Sequence, residues 1–396
     1  METVKLLCWI SLAVLFYCYV GYGLLVWLVN SVKGIFHRHN ISQTAELLPV
    51  TLIITAYNEE AVLPEKLANT LAIDYPEDKL AIIFVTDGSS DQSALLVQQY
   101  PRIRLLHQPQ RQGKYAAIKR AMKQVQTPVV VFSDANTMLN KECIRRLVKH
   151  YADPHTGGVA GEKKIGYQQS ASAVGRAEGL YWQYESFMKR QDAALHTVVG
   201  AAGELFSIRT SLFEYLDDSL LLDDFVISMK VCLKGYTIAY EPGAFATELP
   251  SPSLHEEEKR KVRISAGAYQ SVAYLRGCIN LFRYPLLAFQ FISRRLLRWF
   301  FCPALLVLLL LSSSLLFWAY GSWLYLVLFL TQAVCWVAAF AGWWLVHCGK
   351  QPGLFTIPFY FLFMNYCLVK GFFVFIRGRQ TVLWEKSVRI APERFE

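Results

Sequence analysis

The chain has 396 residues, a net charge of +9 at pH 7 and a hydrophobic content of 54%. Soluble globular proteins average roughly 45–50% apolar residues, so this composition excludes an ordinary soluble protein. The nine cysteines form no CxxC pair and no metal-type spacing, and we expect neither disulfides nor a zinc site. The basic residues lie beside apolar segments rather than among exposed aromatic residues, which argues against nucleic-acid binding and favours contact with membrane lipids.

The apolar residues collect in two regions, and the stretch between them has an ordinary globular composition. That stretch is long enough for one α/β domain with its own core. The sequence therefore predicts five parts: an N-terminal transmembrane helix (1–32), a soluble domain (45–280), an amphipathic interface helix (281–298), C-terminal membrane helices (299–376) and a tail (377–396).

The first apolar segment, residues 6–29, carries no charge and is long enough to span a bilayer core of about 30 Å. A cleaved signal peptide is the alternative, but its apolar region would be shorter and a small-x-small site would follow. Lys33, His37 and Arg38 come directly after the segment, and only Lys5 precedes it. The positive-inside rule therefore predicts that the soluble domain is cytoplasmic.

Short apolar runs alternate with helix-like segments after residue 50. This alternation predicts a parallel α/β sheet with right-handed crossovers. We expect strands at 50–55, 80–86, 103–106 and 129–133, and helices that begin at about residues 62, 92, 114 and 141.

The fourth predicted strand, VVVFSDAN at 129–136, ends abruptly in an acidic residue. Ligands of open α/β sheets bind at this carboxyl edge. Asp134 and Asn136 offer two oxygen side chains, which suit a hard divalent cation carrying a nucleotide diphosphate. The alternative is that Asp134 caps the next helix and Asn136 lies in a turn.

Two other strands end in polar residues of the same kind. Asn58 and Glu59 follow the first strand, and Asp87 follows the second. Lys114 opens a helix, where an anion at the positive helix end would explain a lysine. Each residue has a purely structural alternative as a turn or solvated residue, but three such endings on one sheet edge predict a site.

The second half of the soluble domain has further polar and small residues. We expect a helix over 171–190, whose aromatic residues we interpret as core rather than as a sugar platform, and a strand over 205–209. Between them, the small residues of 200–204 would allow a ligand to approach the backbone. The aromatic residues are Tyr181, Trp182, Tyr184 and Phe187.

An acidic pair and a basic segment follow. Asp223 and Asp224 open a predicted helix over 226–234, where they are either site residues or acids on the helix dipole. A short strand is expected at 236–240. The basic segment 256–263 is either a solvated helix face or a source of cations for a diphosphate.

The C-terminal region has three further predicted membrane-associated elements. The segment 285–298, with its arginines, suits an amphipathic helix on the cytoplasmic membrane face. Segments 299–318 and 323–346 are predicted to span as a pair joined by a tight turn at 320–322. Segment 356–376 contains Asn365 and Lys370 and has basic residues on both flanks, so it is either re-entrant or interfacial, or the positive-inside rule fails here. We predict a cytoplasmic tail after it.

Six short motifs together resemble one enzyme family. They are AYNEE at 56–60, DGSSD at 87–91, GK at 113–114, DAN at 134–136, DD at 223–224 and RKVR at 260–263. In this order and spacing they resemble the membrane-bound family 2 glycosyltransferases, the group that contains hyaluronan, cellulose and poly-N-acetylglucosamine synthases and many non-polymerising relatives. The resemblance covers about residues 50–263.

The resemblance implies a GT-A fold, a Rossmann-like domain with a mainly parallel sheet, and residue roles at the matching positions. A Mg²⁺ or Mn²⁺ ion is implied as the cofactor. In the nucleotide pocket, Asp87 would contact the base, Tyr57 and Glu59 would line the pocket, and Lys114 would lie near the nucleotide. Asp134 would bind the metal–diphosphate, with Asn136 in the position of the family's second acid. Asp224 would be the catalytic base, with Asp223 where Glu is common, and Arg263 matches the arginine of the QxxRW motif.

The sequence departs from the family pattern at three positions. Arg260 replaces the glutamine and Ile264 the tryptophan of QxxRW. In the polymerising members that tryptophan lies near the acceptor sugar, so its loss puts processive synthesis in doubt. Asn136 is a weaker metal ligand than the usual Asp. In the chemistry that we expect, Asp224 takes the acceptor proton, while a metal ion at Asp134 with Arg263 and Arg260 stabilises the leaving diphosphate.

The resemblance therefore implies an inverting transfer of a sugar from a nucleotide diphosphate sugar, with UDP-sugar as the family's usual donor. The expected acceptor is a membrane-associated glycan or lipid-linked molecule, in cell-surface polysaccharide or glycolipid synthesis. Two alternatives stay open: a processive synthase coupled to translocation, and a non-catalytic assembly subunit.

Overall fold

The computed structural model of the protein describes residues 1–36, 47–166, 173–251, 253–378 and 381–383. It contains one eight-stranded mixed sheet, in the order β3-β2-β1-β4-β7-β6-β8-β5, and several long apolar helices. The predicted α/β fold class is confirmed. Most of the predicted tail lies outside the described residues.

The first half of the sheet is parallel, as the apolar runs predicted. Strand β1 is buried along its whole length and lies between β2 and β4, so the strand order reverses beside it. A crevice opens at such a point outside the carboxyl ends of the strands, which positions a ligand site there. The elements are β1 (Val50–Ala56), α3 (Leu63–Leu71), β2 (Leu80–Asp87), α4 (Ser93–Gln98), β3 (Ile103–Gln108), α5 (Lys114–Met122) and β4 (Val129–Asp134).

The second half of the sheet contains antiparallel pairs. β7 pairs antiparallel with both β4 and β6, β5 pairs antiparallel with β8, and β6 pairs parallel with β8. The elements are β5 (Thr137–Leu139), α6 (Cys143–Val148), β6 (Thr156–Ile165), α7 (Ala173–Leu195), β7 (Leu205–Arg209), α8 (Asp223–Leu233), β8 (Thr237–Glu248) and α9 (Leu254–Tyr274). β8 is longer than predicted, because pairing with β6 resumes after a register shift that accommodates Pro242 and Gly243.

Four helical segments of the described residues are long and apolar enough to cross a membrane: Glu2–Gly34, Pro285–Tyr320, Trp323–His347 and Gly353–Ile376. They contain α1 (Glu2–Phe16), α2 (Tyr22–Phe36), α10 (Pro285–Phe291), α11 (Cys302–Tyr320), α12 (Trp323–His347) and α13 (Thr356–Ile376). A turn at Gly321, in the left-handed conformation, separates α11 from α12 as predicted.

The interface helix predicted for 281–298 is not a separate element. α10 continues through a π-helical segment, Ile292–Phe301, directly into α11. Its arginines do not lie on an open face, because Arg294 is buried and pairs with Glu185 and Asp192 of α7. The hydroxyl of Tyr22 also donates to Asp192, at 2.6 Å. These contacts join the soluble domain to the first and second candidate spans.

The polar residues predicted inside the last apolar segment have partners. Asn365 accepts a hydrogen bond from the hydroxyl of Tyr19, at 3.1 Å, and Lys370 pairs with Glu258 of α9. These contacts satisfy the two side chains that made this segment unusual for a membrane span.

Candidate active site

A cavity of about 1190 Å³ lies at the carboxyl ends of β1 and β4. Of the residues that the sequence predicted for the site, nine line this cavity: Tyr57, Glu59, Lys114, Asp134, Asn136, Asp223, Asp224, Arg260 and Arg263. Asp87 does not line it.

The loops after β1 and β2 are bonded to each other at the entrance to this crevice. Asn58 adopts a positive φ of 53°, which turns its backbone N–H to the Ser89 hydroxyl and its side-chain oxygen to the N–H of Ser90. The N–H of Glu59 donates to the hydroxyl of Ser93. These bonds fix Tyr57, whose ring lies 3.6 Å from the Arg111 guanidinium carbon, at the cavity wall.

Asp87 ends β2 and does not line the cavity. Its side chain is fully buried, and its oxygens accept hydrogen bonds from the N–H groups of Gln112 and Gly113 and from the Arg120 guanidinium. In this structure Asp87 therefore holds the loop before α5, and a contact with the nucleotide base stays a prediction. The sequence could not show these contacts, because the partners of Asp87 lie 25 to 33 positions away along the chain.

Lys114 and Asp134 form an ion pair at the centre of the cavity, with 2.6 Å between Nζ and Oδ1. Gly113, with φ of +100°, turns the chain so that α5 begins at Lys114. Burial alone would lower the pKa of the Lys114 ammonium, but the carboxylates of Asp134, Asp223 and Asp224 raise it above its usual value. Lys114 is therefore a permanent cation at the site.

The side chains at Asp134 and Asn136 fit a divalent cation only together with a ligand. In the described part of the chain, no group of three or more His, Cys, Asp or Glu side chains is arranged to hold a metal ion. Mg²⁺ sites of nucleotide enzymes commonly use one or two protein carboxylates and complete their shell with phosphate oxygens and water. Asp134 and Asn136 match that donor set, and burial raises the pKa of the Asp134 carboxyl while Lys114 opposes this shift.

Asp223 and Asp224 begin α8 and line the cavity, and Gly203 lies close to both Asp224 and Lys114. A Cβ on Gly203 would lie 3.0 Å from Lys114 Nζ and 3.1 Å from Asp224 Oδ2, so glycine at this position leaves room for both side-chain ends. Burial and the neighbouring Asp223 raise the pKa of Asp224 to about 7. An acid with this pKa is partly deprotonated at neutral pH and suits general base catalysis.

The two arginines of the RKVR motif differ in their surroundings. Arg260 is bound by the buried carboxylates of Glu178 and Glu257, and its contact with a diphosphate stays a prediction. Helical i,i+3 spacing places Glu257 beside it, and α7 supplies Glu178. Within the described ranges, the Arg263 guanidinium forms no hydrogen bond or ion pair, and Asp223, Asp134 and Asp224 are the charges that act on it most strongly. Arg263 is therefore a cation close to these carboxylates, and its contact with a diphosphate stays a prediction.

Several residues of the cavity wall were not predicted. Lys163 forms ion pairs with Glu204 (2.5 Å) and Glu248, which links β6, the 200–204 loop and β8. Tyr181, Trp182 and Tyr184 line the cavity, contrary to their interpretation as core. The available indication for Lys163 was its place in a mostly buried strand, 156–165, because a lysine there needs acidic partners. Those partners, Glu204 and Glu248, are remote in sequence and could not be identified.

The cavity continues beyond the soluble domain. Its far end is lined by residues of the candidate spans, among them Tyr19, Trp299, Met364, Asn365 and Leu368. A single space therefore connects the acidic pair of α8 with the helices that are apolar enough to cross a membrane.

Comparison with known proteins agrees with this geometry. Residues 51–216 match the family described as glycosyl transferase family 2. The chain is 27% identical over 265 residues to the poly-beta-1,6-N-acetyl-D-glucosamine synthase of Staphylococcus aureus, and 23% identical over 260 residues to that of Staphylococcus epidermidis. Each alignment covers 62% of this chain and 62% of the relative, so the chain matches less than two thirds of the relatives' length.

A solved structure shares the fold across nearly the whole chain. The mannosyltransferase PcManGT from Pyrobaculum calidifontis, in complex with GDP-Man and Mn²⁺, has a TM-score of 0.69 and covers 94% of this chain and 100% of its own, at 19% sequence identity. The α/β domain with its flanking helices thus has the GT-A fold. Residues 51–216 thus resemble the family 2 glycosyltransferases, and the whole chain shares its fold with a solved mannosyltransferase.

Proposed function

We propose that this chain is an inverting glycosyltransferase that moves one sugar from a nucleotide diphosphate sugar to a membrane-associated acceptor. The observation that supports this most directly is the position of Asp224, whose pKa of about 7 lies in the working range of a general base and which faces Lys114 across Gly203. The soluble domain is proposed to be cytoplasmic, where nucleotide sugars are made available.

The reaction is a single displacement. Asp224 accepts the proton of the acceptor hydroxyl as its oxygen forms a bond to the anomeric carbon of the donor. The bond from that carbon to the diphosphate oxygen breaks, and the nucleoside diphosphate leaves with the electron pair. No covalent enzyme intermediate is required, so the chain needs no nucleophile.

The leaving group needs positive charge. Arg263 and Lys114 supply fixed cations at the site. A divalent cation held by Asp134 and Asn136 would neutralise the diphosphate further. Lys114, which pairs with Asp134 in this structure, is positioned to turn to a phosphate oxygen once a nucleotide is bound.

The acceptor is proposed to reach Asp224 from the membrane side. The cavity is continuous with the candidate spans, and its aromatic wall at Tyr181, Trp182 and Tyr184 suits the apolar faces of sugar rings. The acceptor is a glycan or lipid-linked molecule, and the transfer is a step of cell-surface polysaccharide or glycolipid synthesis.

A processive synthase is the second candidate, because the curated relatives are named as polymer synthases. Single transfer is favoured because Ile264 stands where the family's acceptor tryptophan is expected, and Ile264 lines the cavity in its place. The length of the product made from a labelled donor decides between the two.

The test of the proposed function is nucleoside diphosphate release by the full chain in lipid nanodiscs. Each of a panel of nucleotide sugars is supplied with and without Mn²⁺ and with membrane lipids as acceptor. We expect release from one donor, and a decrease of about 10²- to 10⁴-fold in Asp224→Asn. Glu77→Gln, a change at an exposed acid outside the cavity, is the matched control. Release that survives unchanged in Asp224→Asn would contradict the assignment of the base, and no release from any donor would favour a non-catalytic assembly subunit.

A further inference from the structure

A buried lysine outside the cavity contacts the loop that carries Asp134. Lys66 lies in α3, which follows the loop after β1, and its side chain is fully buried. Its Nζ donates to the hydroxyl of Ser133, at 3.1 Å, and to the carbonyl oxygen of Thr137, at 2.6 Å. Lysine is almost never fully buried unless its charge is satisfied, so this position calls for an explanation.

The two acceptors of Lys66 flank the proposed diphosphate and metal residues. The hydroxyls of Ser133 and Thr137 both donate to the carbonyl oxygen of Asp134, at 3.3 and 3.0 Å. Asn136 lies within the same turn. Lys66 is thus bonded to both ends of a five-residue turn, 133–137, whose Asp134 and Asn136 line the cavity.

The surroundings of Lys66 are otherwise apolar. α3 packs against the core through Leu63 and Leu67, and the Cys143 thiol is a buried neighbour. Burial lowers the pKa of Lys66 to about 7, although Cys143 and Asp134 oppose this shift. A leucine or methionine would fill the same space without this cost, so packing alone does not account for a lysine here.

We propose that Lys66 is a positioning residue that holds the 133–137 turn and thereby sets the geometry of Asp134 and Asn136 toward a nucleotide diphosphate and its cation. This inference rests on the proposed function of that turn. Lys66 touches no substrate itself. It acts as the outer support that binding side chains require, and losses of such supports typically weaken metal sites by about 10- to 100-fold.

The test is binding of Mn²⁺ with UDP or GDP to the full chain in nanodiscs, measured by calorimetry without acceptor. In Lys66→Met, which keeps the volume and removes the donor, we expect the Kd of the nucleotide that the wild type binds to rise about 10- to 100-fold. The donor KM should rise equally, while kcat at saturating donor is unchanged, because Asp224 lies on α8. Lys66→Gln, which retains a donor, should recover part of the affinity.

The matched control is Asn69→Ala. Asn69 lies one turn further along α3 and exchanges two hydrogen bonds with the backbone of Leu139 in β5, at 2.8 Å each, without contacting the 133–137 turn. It should leave the Kd unchanged. Equal weakening in Asn69→Ala and Lys66→Met, or an unchanged Kd in Lys66→Met, would overturn the proposal.

Two further outcomes are separable. If Lys66→Met does not fold, Ser133→Ala removes one acceptor of the same lysine, and it must weaken nucleotide binding in the same direction for the proposal to stand. If the wild type binds neither nucleotide, the proposed function itself fails, and this inference fails with it.

Discussion

At the scale of single residues, the proposed activity depends on whether Asp224 holds a proton. Burial and Asp223 raise its pKa from 3.8 to about 7, so the carboxyl is protonated in acid and cannot accept the acceptor's proton. We therefore expect kcat to rise with pH through about 7 and to level off above it. A pH profile of kcat at saturating donor and acceptor measures this. A flat profile, or one that falls over the same range, would contradict the role of Asp224.

The residues that sequence could predict are those whose role depends on local chain direction. Asp134, Asn136 and Glu59 follow apolar strands, and an apolar run that ends in a polar residue places it at the sheet edge. The contacts of Asp87 and Arg260 could not be predicted, because their partners Arg120 and Glu178 come from other elements and are 33 and 82 residues away. The residue type of a charged position in a motif does not show whether its side chain contacts a ligand or another residue of the protein.

At the scale of elements, the 200–204 loop positions the start of α8. Gly200 has φ of +89°, and a Cβ there would lie 2.0 Å from the ring of Phe225, the residue after Asp224. We expect Gly200→Ala to displace Phe225 and with it Asp224, and displacements of about 1 Å at a reacting group can lower turnover by about 100-fold. The measurement is kcat together with the melting temperature.

The same helix supplies the control. Gly235 follows the other end of α8 with a similar φ of +88°, but a Cβ there meets nothing within 4 Å. Gly235→Ala should therefore cost only the backbone strain of about 1 kcal/mol and leave kcat unchanged. Equal loss of kcat in both variants would show that strain, rather than contact with Phe225, is responsible.

Most elements were predictable because each depends on a short stretch of sequence. The four parallel strands and the turn at Gly321 follow from apolar runs and one glycine. The continuous helix through 285–320 was not predictable, because its arginines suggested an exposed polar face. Those arginines instead meet the buried acids Glu185 and Asp192 of α7, which the hydrophobic periodicity of 285–298 does not reveal.

At the scale of the whole molecule, the proposed function requires donor and acceptor to enter one cavity from different sides. Met364 of α13 lines the end that lies among the candidate spans, whereas Val369 on the same helix is exposed on its outer side. We expect Met364→Trp to lower sugar transfer to a membrane acceptor and to leave binding of the nucleoside diphosphate unchanged, because only the far end of the cavity is filled. Transfer is measured with a radiolabelled donor, and nucleotide binding by calorimetry.

Val369→Trp adds the same volume to the outer side of α13 and should leave both quantities unchanged. If Met364→Trp transfers sugar as well as the wild type, the acceptor does not approach through this end of the cavity.

The packing of the first helix also has a consequence for the order of synthesis. Cys8, Leu15 and Cys18 bury their side chains against Cys302, Leu309 and Leu316 of the helix through 285–320. The ribosome makes the first helix long before this partner, and the whole soluble domain is translated between them. The sheet can therefore form before the packing partner of the first helix is made. A chain that stops before α11 leaves the apolar packing face of the first helix exposed, and cellular quality control can recognise such a face.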